Sequence, residues 1–539
     1  MLTYKYGIDY GTTNSSIAIT TVDESGQHTR VVNVEDSLPK TVLPSKVLIS
    51  NNKYLVGRSR TKSDDVNNIV RAAKTFLEPK DADLKPKAYV TINGYRYKLS
   101  WLIAAVLKQL RLKAEPIAEA RGVKMDGVVM GVPVEYGNEQ KDILLEALVQ
   151  AGFYQTFEEA TEKTMFVSEP LAVAVDYGEK ITNNTTVMVF DFGGGTLDIV
   201  AMNLKKDIAM MAKDKLHPHD VIAKERGLIG GELMTKAFFV NGFFKKGKYS
   251  LDQFSKAFAL GNVSSPVELW NSIMALGKEG DLFFEAVDKL KCDLSVSELS
   301  NFEYQTRTGY LKPVKFFDEE FEAALKVPLP GDEISAFSII ENTVNKILEN
   351  SQIDGIKGID KVILAGGSSN IPCVQKMLMS KFMGQMDSKI DQLELLTSIA
   401  RGLSIVGCQE KQVIDDVVDN SYGFWDVKED CFVEVIKKGV KVKDTEFVQK
   451  QKKGQHIDFV NNNPNSTRME IEIYQSNQQG DLKLGTIKLT GTDDRKYRLF
   501  MSVDKKKGYL HCYFLDTEEG TWLDEMGKVS LDQCEIKLT

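Results

Sequence analysis

The chain has 539 residues, 42% hydrophobic and 27% charged, the balance of an ordinary globular protein of three or four units of about 150 residues. Its net charge of −8 excludes the broad basic field a nucleic-acid partner needs, and no run of about 18 apolar residues offers a membrane span. The six cysteines (Cys292, Cys373, Cys408, Cys431, Cys512, Cys534) include no C-x-x-C pair, and His217 and His219 merely flank a proline. Neither a disulfide framework nor a zinc site is expected. With no leader-like pattern at Met1–Tyr6, the expected compartment is the cytoplasm.

Near the N-terminus, apolar positions lead into Gly7-Ile8-Asp9-Tyr10-Gly11-Thr12-Thr13-Asn14-Ser15-Ser16, and Ile17-Ala18-Ile19 lead out. This predicts a β-hairpin with Gly11 at its tight turn. Its tip offers successive backbone N–H groups and two hydroxyls, the chemistry of an anion-binding nest. Asp9, at the strand end, suits a hydrated Mg²⁺, an ion that prefers oxygen and keeps several waters. Alone, the segment reads equally well as a plain hairpin with a polar tip.

Helical periodicity follows at Trp101–Arg121. In Val189-Phe190-Asp191-Phe192-Gly193-Gly194-Gly195-Thr196-Leu197-Asp198 an apolar strand again ends in Asp, then three glycines and a Thr. Three glycines in a row are costly for a purely structural hairpin. Two copies of strand, Asp and Gly-rich turn point to two arms gripping one polyphosphate, and no P-loop motif is present. Residues from about 218 to 310 are more helical and read as an insertion, with a further helix at Ser335–Glu349. In Val362-Ile363-Leu364-Ala365-Gly366-Gly367-Ser368-Ser369-Asn370-Ile371-Pro372 a buried strand meets Gly-Gly, then a helix with capping serines and Pro372 in its first turn. Bare backbone there accepts a planar base or sugar, although an ordinary strand-to-helix turn looks the same. Alternating β and α signals predict α/β layers around a buried sheet.

After Gly407 the pattern changes. Period-2 runs at Phe432–Ile436, Met469–Tyr474, Leu484–Leu489, Tyr497–Val503 and Tyr509–Leu515 predict a small antiparallel sandwich. Lys505–Gly508 reads as a solvated turn. The expected division is a nucleotide-binding domain at 1–408, an acidic linker at 409–421 and a β domain at 422–539.

In this order and spacing, the three Gly-rich segments resemble the phosphate-1, phosphate-2 and adenosine motifs of the actin, sugar-kinase and heat-shock ATPase superfamily. Four further elements resemble the DnaK-type 70-kilodalton heat-shock chaperone family. They are Ser168-Glu169-Pro170-Leu171-Ala172-Val173-Ala174-Val175-Asp176-Tyr177-Gly178, Val56-Gly57 with Asn68 and Ala73-Lys74, Gly227-Leu228-Ile229-Gly230-Gly231-Glu232, and Asp288-x-x-Lys291-x-x-Leu294-Ser295. The resemblance implies a two-lobed actin-like ATPase domain of ribonuclease H-like repeats, followed by an all-β sandwich.

It also implies ATP or ADP and Mg²⁺ as cofactors. On the family's pattern Gly11, Thr12, Thr13, Asn14, Gly193, Gly194, Gly195 and Thr196 hold the phosphates, and Asp9 and Asp191 position Mg²⁺ through its waters. Lys74 neutralises the γ-phosphate, while Glu169 and Asp191 polarise the attacking water; without the resemblance, Lys74 reads as an exposed helical lysine. Gly230, Asp288, Lys291, Ser295, Gly366, Gly367, Ser368 and Asn370 cradle the adenosine.

The sequence departs from the family in places. Asn370 and Cys292 replace basic residues at the adenine, removing a cation–π contact, and Leu395-Leu396 replaces Pro-Asp. Met165 stands where J-domain co-chaperones use an arginine, so J-domain dependence is not expected. Val413-Ile414-Asp415-Asp416-Val417 resembles the family linker, but Asp415 puts a charge at an apolar docking position and predicts weak docking. In the β domain the loop that arches over peptide reads Lys428-Glu429-Asp430, and no helical lid pattern follows, which predicts an open groove with fast release.

The expected function is a slow Mg²⁺-dependent ATPase that couples nucleotide state to polypeptide binding, with room for a nucleotide-exchange factor. The alternative is a low-turnover nucleotide-binding regulatory protein with one dedicated protein partner. Neither a filament-forming actin relative nor a small-molecule kinase needs the C-terminal sandwich. No nucleic-acid or membrane partner is expected.

Overall fold

The computed structural model describes residues 4–23, 26–34, 40–50, 53–56, 68–77, 88–92, 94–133, 136–178, 183–204, 219–350, 353–382, 396–408, 414–415, 417–445, 448–449, 451–452, 455–460, 468–477, 480–490, 495–504, 509–523 and 535–537. Gly57, His217, Leu395, Cys534, Lys505–Gly508 and linker positions 409–413 and 416 lie outside the described residues.

The first lobe opens with an antiparallel meander, β1 (Tyr4–Tyr10), β2 (Asn14–Asp23) and β3 (Gly26–Val31). A small sheet follows: β4 (Lys46–Ser50) pairs on its two sides with β5 (Lys53–Val56) and β6 (Asn68–Arg71). Helix α1 (Leu99–Ala120) leads to β7 (Met125–Val132) and later to β8 (Thr164–Ser168), giving a main sheet ordered β8-β7-β1-β2-β3. β7 runs parallel to both neighbours, and its Val128–Val132 are buried because helices cover both faces.

Helix α2 (Glu169–Gly178) crosses to the second lobe, which repeats the plan. β9 (Thr185–Phe192), β10 (Leu197–Leu204) and β11 (His219–Gly227) form another antiparallel meander. The helical stretch therefore starts later than residue 218: β11 belongs to the sheet, and α3 (Gly231–Gly242) is the first helix beyond it. From there to α4 (Lys278–Leu294) an aromatic core of edge-to-face rings, Phe238, Phe239, Phe243, Phe254 and Phe283 among them, fills this part of the lobe. β12 (Lys361–Ala365) pairs parallel to β9, as β7 does to β1.

Helix α5 (Ser398–Gly407) returns to the first lobe, packs on β1 and crosses α2. A Cβ on Gly402 would collide with the Ala172 carbonyl of α2, and one on Gly7 with the α5 backbone. These contacts join the two sheets through a shared apolar core that includes Val129, Val167, Val189, Ile363 and Leu403.

The edge of the second sheet is completed by β13 (Ile414–Asp415), parallel to β11. The bridge at Ile414–Asp415 is made by backbone groups. β14 (Ser421–Asp426) and β15 (Cys431–Ile436) then begin a sandwich of two four-stranded sheets. Lys496–Asp504 and Tyr509–Asp516 alternate buried and half-buried residues, the mark of one face on a core and one toward water.

Because backbone meets backbone at Gly402, Gly402→Ala should cost about 2 kcal/mol or more and lower the thermal midpoint of the full chain. An unchanged melting curve would mean that the helices have room to slide.

Candidate active site

The two hairpins bring their strand ends together at the base of the cleft between the lobes. Asp9 lies near the end of β1, opposite Ser16. Asp191 lies near the end of β9, between Asp198 of β10 and Ala365 of β12. Glu169 begins α2, and Lys74 sits on the short 3₁₀ turn Ala73–Leu77 just after β6. All are nearly inaccessible: Asp9 is 8% exposed, Lys74 6%, Glu169 6% and Asp191 4%. Lys74 is thus not the solvated helical lysine of the bland reading; its ammonium donates to Glu169 Oε1.

Charge is unbalanced here. Burial, then the facing Glu169, push the Asp9 carboxyl well above the usual range, and Lys74 only partly opposes this. Asp191 is raised by burial and by Glu169, Asp198 and Asp9. Burial alone would lower Lys74, but Glu169, Asp9 and Asp198 outweigh it and hold the ammonium protonated above its ordinary range. Four carboxylates thus face the Lys74 ammonium, and Arg226 approaches Asp198 at 3.7 Å.

A divalent cation fits that deficit, and an all-oxygen donor set suits Mg²⁺. Among the described residues no three Asp, Glu, His or Cys side chains converge to ligate one ion directly.

Above the carboxylates the turns interlock. A Cβ on Gly194 would strike Thr13 Oγ1, and one on Gly195 would come 2.5 Å from Thr12 Oγ1, so the hairpin tips touch only because these residues are glycine. Gly11 is equally constrained, by the Asn14 carbonyl. Gly193 and Gly194 turn their carbonyls to the N–H groups of Gly231 and Glu232, at 3.0 and 2.9 Å. Ser368 Oγ donates to the Gly193 carbonyl at 2.7 Å, which ties the third Gly-rich segment to the second. Gly366, at φ 73°, packs its backbone on Phe192 and Asp191. Thr196 Oγ1 donates to Asp198 Oδ2 at 2.9 Å.

On the adenosine side, Lys291 Nζ donates to Asp288 Oδ1, Thr235 Oγ1 and the Gly231 carbonyl at 2.6, 3.0 and 3.0 Å. Gly230 starts α3 against the Gly194–Gly195 backbone. Ser295 instead caps its own helix on the Lys291 carbonyl, Gly367 is exposed, and half-buried Asn370 ends the 3₁₀ turn Gly367–Asn370. Exposed Cys292 brings no cation.

The family described as Hsp70 protein matches residues 5–213 and 281–494, well over half of the sequence. The chain belongs to the Hsp70 family. Its architecture is accordingly a two-lobed actin-like ATPase joined to a β domain, and members of the family are ATP-binding chaperones. The match passes over 214–280, which holds β11 and α3, so the place of Gly230 and Glu232 at the cleft rests on geometry alone.

This Hsp70 chain carries one feature that its sequence did not announce. Across the cleft mouth Lys46 of β4 pairs with Asp281 and Glu285 of α4 at 3.1 and 2.5 Å. Arg71 of β6 pairs with the same Asp281 at 2.9 Å, approaches Glu232 at 3.4 Å and lies 3.4 Å above the Phe284 ring. The only hint was a lysine leading an apolar strand, Lys46-Val47-Leu48-Ile49. Asp198 was likewise read only as part of a motif, yet it joins Thr196 to Arg226.

The clasp spans the cleft, so opening it exposes charges that are 8% and 6% accessible at Lys46 and Asp281. Arg71→Ala should therefore raise the dissociation rate of a fluorescent ATP analogue roughly tenfold or more in stopped flow. A rate equal to wild type would make the clasp a passive contact.

Proposed function

We propose that residues 1–408 bind and slowly hydrolyse ATP with Mg²⁺, and that the nucleotide state governs polypeptide binding by the β domain at 422–539. The observation that carries this reading is the buried group of four carboxylates and one lysine beneath two interlocked Gly-rich turns. Phosphoryl transfer asks a protein chiefly for positioning and charge neutralisation. The N–H groups and hydroxyls of Gly11–Asn14 and Gly193–Thr196 are suited to cradle the phosphates. Mg²⁺ would be held through its waters by Asp9 and Asp191 and would supply further neutralisation of the phosphate oxygens.

Lys74, kept protonated by its carboxylate neighbours and bonded to Glu169, would neutralise the γ-phosphate. Glu169 and Asp191 are the two groups placed to take a proton from an attacking water, a contribution of roughly 10²–10⁴-fold.

Coupling to the β domain has a physical route through β11. Arg226 of that strand approaches Asp198, and two residues away Lys224 pairs at 3.0 Å with Asp419, between β13 and β14. The Lys224 side chain is 2% exposed, and Val417 enters the core shared by the two sheets. The loop at Lys428–Asp430 is a tight hairpin turn, closed by Trp425 Nε1 donating to Asp430 Oδ1 at 3.2 Å. Val427 beside it is 81% exposed.

Asp9→Asn and Thr196→Val should each slow single-turnover ATP hydrolysis by about tenfold or more, with far-ultraviolet circular dichroism unchanged. Wild-type rates in both would remove the assigned site. Lys224→Met leaves Asp419 without this ion pair, a cost of about 3 kcal/mol or more when the segment docks. The change in ATPase rate on adding an apolar heptapeptide should shrink several-fold in that variant, while the rate without peptide stays put. A full peptide response would place the coupling elsewhere.

A further inference from the structure

A groove that shares no lining residue with the nucleotide cleft has the build of a polypeptide-binding site. It lies between β5 and α1 and encloses about 580 Å³. All four residues of β5 line one wall, Lys53 to Val56. β4 is paired on both sides, to β5 and to β6, so β5 is the edge of its sheet, with no further strand on it among the described residues. Alternate residues of such a strand turn N–H and C=O outward, a template for another strand.

The opposite wall is one stripe of α1. Trp101, Ala105, Lys108 and Leu112 are spaced by four, three and four residues, which sets them on a single helix face. That face is apolar and open: Trp101 is 50% exposed and Leu112 47%. Large apolar side chains grouped along a groove, rather than scattered singly, mark interaction surfaces.

Charge selects the occupant. Exposed Lys53 and Lys108 stand on the two walls, and among the described residues no acidic side chain lines the groove, although the whole chain carries −8. We propose that this groove binds an extended segment of a partner protein, which adds as a strand to β5, sets apolar side chains on Trp101 and Leu112 and offers Asp or Glu to Lys53 and Lys108. Backbone pairing supplies affinity, and the two lysines choose acidic over basic partners. The site shares no residue with the nucleotide cleft or the β domain, so it stands or falls independently of the ATPase reading.

The probe is a fluorescein-labelled Glu-Val-Asp-Phe-Glu-Val-Asp peptide, compared with its counterpart carrying Lys at every acidic position. Anisotropy titrations use the full chain and the double variant Lys53→Glu/Lys108→Glu, which alters only exposed side chains. Wild type should prefer the acidic peptide by roughly tenfold or more, lose that preference at high salt, and bind far less when alternate peptide amides are N-methylated. The variant should reverse the preference with its basal ATPase rate unchanged. Absence of binding, equal binding of both peptides, or an acidic preference that survives in the variant would each overturn the proposal. Sedimentation showing a dimer of the wild type that the variant dissolves would also overturn it, in favour of a second copy as occupant.

Discussion

The structure is organised around a buried charge deficit. Asp9, Glu169, Asp191 and Asp198 converge from four elements of two lobes on the single ammonium of Lys74. Burying unpaired carboxylates costs several kcal/mol each, so such a group persists only where protons or a cation complete it. The fold supplies the framework that holds it. Each lobe ends a strand in Asp and turns back through glycine, and the crossing of α2 and α5 fixes how far apart the two ends stand.

The adenosine side follows a different logic. Cys292 and Asn370 bring no guanidinium to a base, and Lys291 is already spent on Asp288, Thr235 and the Gly231 carbonyl. The cations of this region come instead from the opposite lobe, as Lys46 and Arg71, and they act on the N-terminal half of α4. The C-terminal half of that helix carries Asp288, Lys291 and Ser295. One helix therefore carries both the acidic partners of the clasp and the Asp288–Lys291 pair.

Much of this was legible in the sequence, and the reason lies in what glycine and aspartate do locally. The three Gly-rich segments are read by eye because contact between hairpin tips at Gly194 and Thr13 admits no side chain. Period-2 alternation found the sandwich strands to within a few residues, since one face of each meets the core. The clasp was not legible: Lys46 and Arg71 lie 210 to 239 residues from Asp281 and Glu285, and no local pattern links the two pairs. The start of the helical stretch was misplaced for a related reason. His219–Gly227 holds Lys224, Glu225 and Arg226, so it reads as polar helix or loop, while the sheet accepts them because Asp419, Lys438 and Asp198 lie opposite.

The linker joins the second sheet through its backbone. An acid at Asp415 argues against docking only if docking is made by the side chain. β13 instead lies on the edge of β11 through its backbone, and the charge requirement moves four residues on, to Asp419 against Lys224. The same strand that receives the linker also carries Arg226 toward Asp198, the residue that holds the Thr196 hydroxyl. Arg226, beside Asp198, and Lys224, beside Asp419, thus stand two residues apart on one strand. Coupling of this kind is set by how much the docked energy differs between nucleotide states, not by the apolar character of the linker.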